Sequence, residues 1–285
     1  MSEAHAELGD PGGVRPATSA AFFDLDKTLI ATSAATAFAR PLLLGGVLTR
    51  RAMLRSAGAQ LAFLLGSATE DRTERVRAQL SRMVVGWDVG QVSSIVAASL
   101  PGAVDSVLYA EAVDLVHRHH AAGEDVVVVS ASSDELVRPI AALIGADEVI
   151  ASRIEVVDGR YTGQITFYAY GPAKAAAMRD LAARRGYDLA ASSAYSDSAT
   201  DAPMLAAVGH AFVVNPDRAL RTLAESRGWG TVAFRRRATA SHRPARLRQV
   251  SGAAAPRAAV GLAFVGTAAV VAAWLLTRRR AARVG

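Results

Sequence analysis

Ala20-Ala21-Phe22-Phe23-Asp24-Leu25-Asp26-Lys27-Thr28 is the stretch that decides the fold: a short apolar run that ends in two carboxylates. Ala20–Phe23 reads as a buried parallel strand, and the acidic residues that follow occupy its carboxyl end, where open α/β sheets carry their function. Three further runs have the same character, at Asp125–Val129, Ala191–Ser196 before Asp197, and Ala211–Val214. Helical patterns lie between the later ones, at Ser133–Ile144, Ala173–Arg185 and Ala202–Val208. Strands alternating with helices predict an α/β fold, a Rossmann-like doubly wound parallel sheet. Val149–Phe167 has a different pattern and predicts a hairpin with its turn at Asp158–Gly159.

The gap between Phe23 and Asp125 is far longer than one crossover helix requires. It reads mainly as helices, among them Arg51–Leu65, Glu70–Met83 and Val89–Ser99. This predicts a helical cap, residues 33–109, inserted after the first strand into a core formed by 19–32 and 110–234. Residues 1–18 are polar, without a basic start or an apolar run, and read as a mobile lead-in rather than a secretory signal.

The chain of 285 residues is 51% hydrophobic and 20% charged, with a net charge of +6 and no cysteine. So apolar a composition excludes global disorder, and the missing thiols exclude disulfides, zinc–thiolate sites, iron–sulfur clusters and cysteine catalysis. The positive excess is confined to one end. Arg235–Gly285 holds eleven arginines and no acidic residue, which leaves Met1–Phe234 with 21 basic against 26 acidic residues, a net of −5. That argues against nucleic acid as a partner of the main body, since a phosphate-binding surface needs positive charge on the fold itself. Residues 235–257 form a basic linker. Ala258–Thr277 is a run of twenty uncharged residues, followed by a basic tail, 278–285. At about 1.5 Å per residue such a helix spans the roughly 30 Å hydrocarbon core, so one C-terminal transmembrane helix is expected. Seven arginines precede the span and four follow it, so the expected placement is a single-pass anchor with the catalytic domain in the cytoplasm.

The chemistry is concentrated at strand ends. Asp24 and Asp26 follow the first, Ser130-Ala131-Ser132 the second, and Asp197 and Asp201 a later one, with Lys174 at a helix start. Several carboxylates converging without a cation repel one another and take up protons. A hard divalent cation relieves this, and Mg²⁺ typically shares a few carboxylates with substrate phosphate oxygens. A lysine and a hydroxyl then suit a phosphoryl group. Mg²⁺-assisted phosphoryl transfer with an aspartate nucleophile is the chemistry these residue types point to.

In this order the four segments resemble the haloacid dehalogenase superfamily, and within it the phosphoserine phosphatase-like branch (subfamily IB), over about Ala20–Phe234. The resemblance implies a Mg²⁺-dependent phosphomonoester hydrolase acting through an aspartyl-phosphate. Asp24 matches the nucleophile, and Asp26 the general acid and later base. Thr28 matches the residue bracing the first motif beside the substrate, Ser130 the phosphate-binding hydroxyl, and Lys174 the lysine that neutralises nucleophile and phosphoryl oxygens. The metal is implied to sit on Asp24, Asp26 (through its backbone carbonyl) and Asp197, with Asp201 supporting it through water or Lys174. The chain departs from the branch at Ser33, where a glutamate usually meets the substrate amine, and at Ala131, Ser132 and Thr200. The implied substrate is a small or lipid-linked phosphomonoester. A membrane-anchored phosphatase of a lipid-linked ester and a non-catalytic membrane-tethered regulatory module are the alternatives.

Lys27 and Lys174 are the chain's two lysines against thirty arginines, and a lysine at the third-motif position supports the resemblance independently. Lys27 is open between a solvated loop residue and one facing phosphate. His117, His119 and His120 read as the polar end of a helix rather than a metal site. The apolar segments Pro41–Leu48 and Ala59–Leu65 read as the cap's own core, and Arg40, Arg50, Arg51 and Arg55 as its solvated face.

Overall fold

A computed structural model describes residues 18–48, 78, 81–104 and 107–238 of the chain. The chain divides into two units, Met1–Val250 and Ser251–Gly285, and the described residues all belong to the first. Strand β1 (Ala20–Asp24) is buried along its whole length. The strands that follow are β2 (Asp125–Ser133), β3 (Glu148–Val157), β4 (Arg160–Phe167), β5 (Ser193–Ser196), β6 (His210–Val214) and β7 (Gly230–Val232). They form one seven-stranded sheet in the order β4-β3-β2-β1-β5-β6-β7, parallel throughout except for the β3–β4 hairpin. The α/β sheet expected from the alternation of strands and helices is present.

Alternation along the central strands explains why both faces are covered. Ala21 and Phe23 of β1, with Val126 and Val128 of β2, belong to one apolar core; Ala20, Phe22, Val127 and Val129 belong to the other. The helices are α1 (Ala34–Leu44), α2 (Val89–Val104), α3 (Ala110–Ala121), α4 (Asp134–Ile144), α5 (Pro172–Arg185), α6 (Ala202–Leu205) and α7 (Arg218–Arg227). Between β1 and β2 the described part of the insert carries helices α1 and α2, which pack on each other and against α4. The expected helix Arg51–Leu65 and most of Glu70–Met83 lie outside the described residues, although residues 81–84 are helical.

Two local differences have physical causes. Helix α2 runs through Pro101 to Val104 instead of stopping at Ser99. A proline removes one backbone bond, which a buried stripe of Val92, Val96 and Val104 outweighs. Strand β7 has no signature in the sequence, because three residues of edge strand carry no periodicity. The hairpin turn falls at Asp158 and Gly159, whose φ values of 49° and 73° are those of a type I′ turn.

The insert is tied to the core at two places. Gly86 N donates to Tyr161 O at 2.8 Å and Tyr161 N to Trp87 O at 3.0 Å, so the hairpin props the insert. Its two connections to the core pair with each other, Ala31 N to Val107 O at 2.8 Å and Tyr109 N to Leu29 O at 3.1 Å. A third extended segment, Phe234–Ala238, lies along them, with Ala110 N donating to Arg236 O at 2.9 Å and Ala238 N to Leu108 O at 2.8 Å. Glu111 accepts from the backbone N–H of Arg235 and Arg236 and from the Arg236 side chain, which holds its carboxyl below the ordinary range against the opposing pull of burial.

No helix among the described residues is long and apolar enough to cross a membrane. The expected span Ala258–Thr277 lies outside them.

Candidate active site

Register alone brings the sequence-predicted residues together. Asp24 pairs with Val129, so Ser130 stands one residue past it on β2. Phe23 pairs with Tyr195, so Ser196 and Asp197 lie beside Asp24 on the other flank. From β1 the chain winds to β2 and β3 on one side and to β5, β6 and β7 on the other. The carboxyl end of β1 is therefore a topological switch point, where such sheets open a crevice.

Lys174 joins them from the first turn of α5, which begins at Pro172 behind Gly171, a residue held at a φ of 54°. Its Nζ donates to Asp24 Oδ1 at 2.6 Å and to Asp201 Oδ2 at 2.8 Å, and all three side chains are buried. Burial alone would drive the lysine's proton off, but the two carboxylates outweigh it and hold the ammonium charged well above its ordinary range. Burial likewise raises Asp24 to about 8, with Asp201 and Asp26 adding and Lys174 opposing. Asp197 is raised to about 6, chiefly by burial. These carboxyls are short of positive charge, as the sequence implied.

Asp26 is held differently. Its Oδ1 accepts from Ala34 N at 2.6 Å, the first residue of α1, and its Oδ2 from Ser132 Oγ at 2.9 Å. Burial still raises it above the usual carboxylate range despite these bonds. Thr28 Oγ1 accepts from Asp197 N at 3.0 Å and so ties the loop after β1 to the loop after β5. Ser130 is fully buried and its Oγ accepts from Ser132 N at 3.1 Å.

Three contributors lie in or beside the motifs, but the sequence assigns them no partner. Ser132 bonds Asp26, Ser196 Oγ donates to Asp201 Oδ2 at 2.7 Å, and the α1 amino terminus, capped by Ser33, bonds Asp26. Ser33 carried a signal as a helix cap before an apolar run; the two serines carried none beyond adjacency to the motifs. His119 and His120 close α3 as expected. His119 meets Glu124 and shares a 2.9 Å bond with Tyr195, and His120 bonds Asp147 at 2.9 Å.

The donor set suits Mg²⁺. Asp24 keeps Oδ2 free of the lysine, Asp197 presents a carboxylate, and both Asp26 carboxylate oxygens are engaged, which leaves its carbonyl for a ligand. Among the described residues no three acidic or histidine side chains cluster to hold a metal by themselves. Mg²⁺ commonly completes such a set with water and substrate oxygens.

The sequence profile of the haloacid dehalogenase-like hydrolases matches residues 21–206. The chain is 51% identical over 269 residues to the "Inhibition of morphological differentiation protein" of Streptomyces azureus, covering 92% of this chain and 95% of that one. It is 51% identical over 271 residues to a protein of Mycobacterium tuberculosis named "Probable phosphatase", covering 93% and 92%. A phosphoserine phosphatase of the same organism is 35% identical over 220 residues, covering 76% and 71%. Among solved structures, a Bordetella pertussis protein of unknown function superposes with a TM-score of 0.67 at 28% identity, covering 76% of this chain and 98% of that one.

Proposed function

The chain belongs to the haloacid dehalogenase-like hydrolase family and is a phosphatase of its phosphoserine phosphatase-like branch, and from that premise we propose that it hydrolyses a small phosphomonoester through a phosphorylated Asp24. One observation carries this reading. Lys174 binds both Asp24 and Asp201 at the carboxyl end of β1, where strand register also brings Ser130 and Asp197 beside Asp24 and Asp26.

In the proposed reaction an Asp24 oxygen attacks phosphorus as the ester oxygen leaves, and Asp26 delivers a proton to that oxygen, releasing the alcohol. Asp26 then takes a proton from a water that attacks the phosphoryl group. The Asp24–phosphorus bond breaks and inorganic phosphate leaves. The elevated proton affinity of Asp26 suits the donor role, and its bonds from Ala34 and Ser132 suit the carboxylate it becomes. Lys174 keeps Asp24 oriented and offsets charge while the phosphoryl group is bound. Asp24, Asp197 and the carbonyl of Asp26 would hold Mg²⁺, which supplies charge to the phosphoryl oxygens.

Helix α1 starts where other members of the branch place an amine-binding glutamate, and Ser33 serves there as its cap. That position therefore offers no carboxylate to the amine of phosphoserine. The uncharged run Ala258–Thr277, bracketed by arginines, supports a second reading in which the enzyme is membrane-anchored and takes a lipid-linked phosphate ester.

The test uses the full chain and a panel of phosphomonoesters that includes phosphoserine and lysophosphatidate. Turnover with Mg²⁺, lost with chelator and in Asp24→Asn, is expected. No turnover of any ester by folded, metal-bound protein points instead to a regulatory module. Release of the full chain from membranes by carbonate contradicts the anchor.

A further inference from the structure

Lys27 stands at the crest of the turn after β1, between the two residues that lock that turn in place. Asp26 is fixed on one side by Ala34 and Ser132, and Thr28 on the other by Asp197 N. Its own N–H donates to Thr32 O at 3.2 Å, and its side chain is exposed. Its φ is 63°, one of three positive values at non-glycine positions among the described residues. The other two are Asp158 and Asn215, short polar types that tolerate the left-handed region. A lysine gains no such local compensation, and glycine or asparagine would hold the same backbone with less strain. Strain kept at an active-site loop argues that the side chain is used.

The charge at the site gives it a use. Asp24, Asp26, Asp197 and Asp201 face one buried ammonium, and both short bonds of Lys174 already go to carboxylates. Mg²⁺ offsets part of the remainder, but an entering phosphate dianion restores it. Lys27 supplies a further positive charge from the solvent side, and its field reaches Asp197 and Asp26.

We propose that Lys27 is a substrate-binding residue, a second cation that contacts the non-bridging oxygens of the incoming phosphoryl group and is held there by its left-handed backbone. The inference rests on the phosphomonoesterase reading, but its test does not need turnover. Inorganic phosphate is titrated calorimetrically into the full chain in Mg²⁺, comparing wild type with Lys27→Asn, Lys27→Gly and Lys27→Arg. Asparagine and glycine keep the backbone and are expected to melt at or above the wild-type temperature. They should weaken phosphate binding about tenfold, the ordinary scale of one charged hydrogen bond, while Arg restores it to within about threefold. Mg²⁺ binding alone should tighten or stay equal, because a repelling cation has gone. That opposite sign separates a phosphate contact from general damage to the loop.

Phosphate affinity of Lys27→Asn within about twofold of wild type, or wild type that binds no phosphate, overturns the inference. Weakened phosphate binding in a protein that turns over no ester would leave Lys27 as assigned and remove the hydrolase reading instead.

Discussion

Replacing Lys174 with methionine keeps the length and apolar stem of the side chain and removes only its charge. The ammonium is 3% exposed and lies 2.6 Å from Asp24 and 2.8 Å from Asp201. Breaking a buried pair by deleting one partner costs about 3–5 kcal/mol, because a charge stays behind without compensation. The carboxyls that lose their shared cation are Asp24 and Asp201, the latter keeping the Ser196 hydroxyl at 2.7 Å. Urea unfolding of wild type and variant in chelator at pH 7 measures the difference. A loss under about 1 kcal/mol would refute the reasoning. Most of a typical stability of about 5–15 kcal/mol should survive, so loss of activity in the folded variant is also expected.

Four other outcomes follow from the structure. Burial raises Asp24 to about 8 and Asp197 to about 6, so protons compete with Mg²⁺, and its apparent affinity should rise at least about tenfold from pH 6 to pH 8 by calorimetry. The same raised values predict that the metal-free fold loses stability as pH climbs from about 4 towards 8, a trend that a series of melting curves reads directly. Gly209→Ala drives a Cβ into the Ala190 carbonyl, a backbone atom that has no rotamer to escape into, so a loss of more than about 2 kcal/mol is expected on urea unfolding. Glu111→Ala removes the acceptor for Arg235 and Arg236 and should lower the melting temperature by about 3 °C, with limited proteolysis opening first near Arg235.

The catalytic set was legible because its signals are local. An apolar run that ends in carboxylates marks the end of a parallel strand, and the pairing of Asp24 with Val129 then places Ser130 without further information. Lys174 was legible by rarity, in a chain that uses arginine almost everywhere else. What supports these residues was not legible. Ser132 and Ser196 are ordinary serines until the fold sets their hydroxyls against Asp26 and Asp201. The bond from Ala34 to Asp26 joins an insert to a core, and the segment Phe234–Ala238 crosses more than a hundred residues to reach Glu111. Pairing at such separations leaves no periodicity in the sequence. The strained φ of Lys27 belongs to the same class, since neither its neighbours nor its own type announce a left-handed turn.

The central claim is that Asp24 carries the phosphoryl group during turnover. Acid quenching of the full chain during steady-state hydrolysis of its best ester, followed by peptide mass spectrometry, tests it directly. The account predicts a peptide spanning Ala20–Thr28 heavier by one phosphoryl group, with the modification on Asp24 and absent from Asp24→Asn. Sustained hydrolysis with that peptide unmodified in every sample, or retained activity in Asp24→Asn, would contradict it.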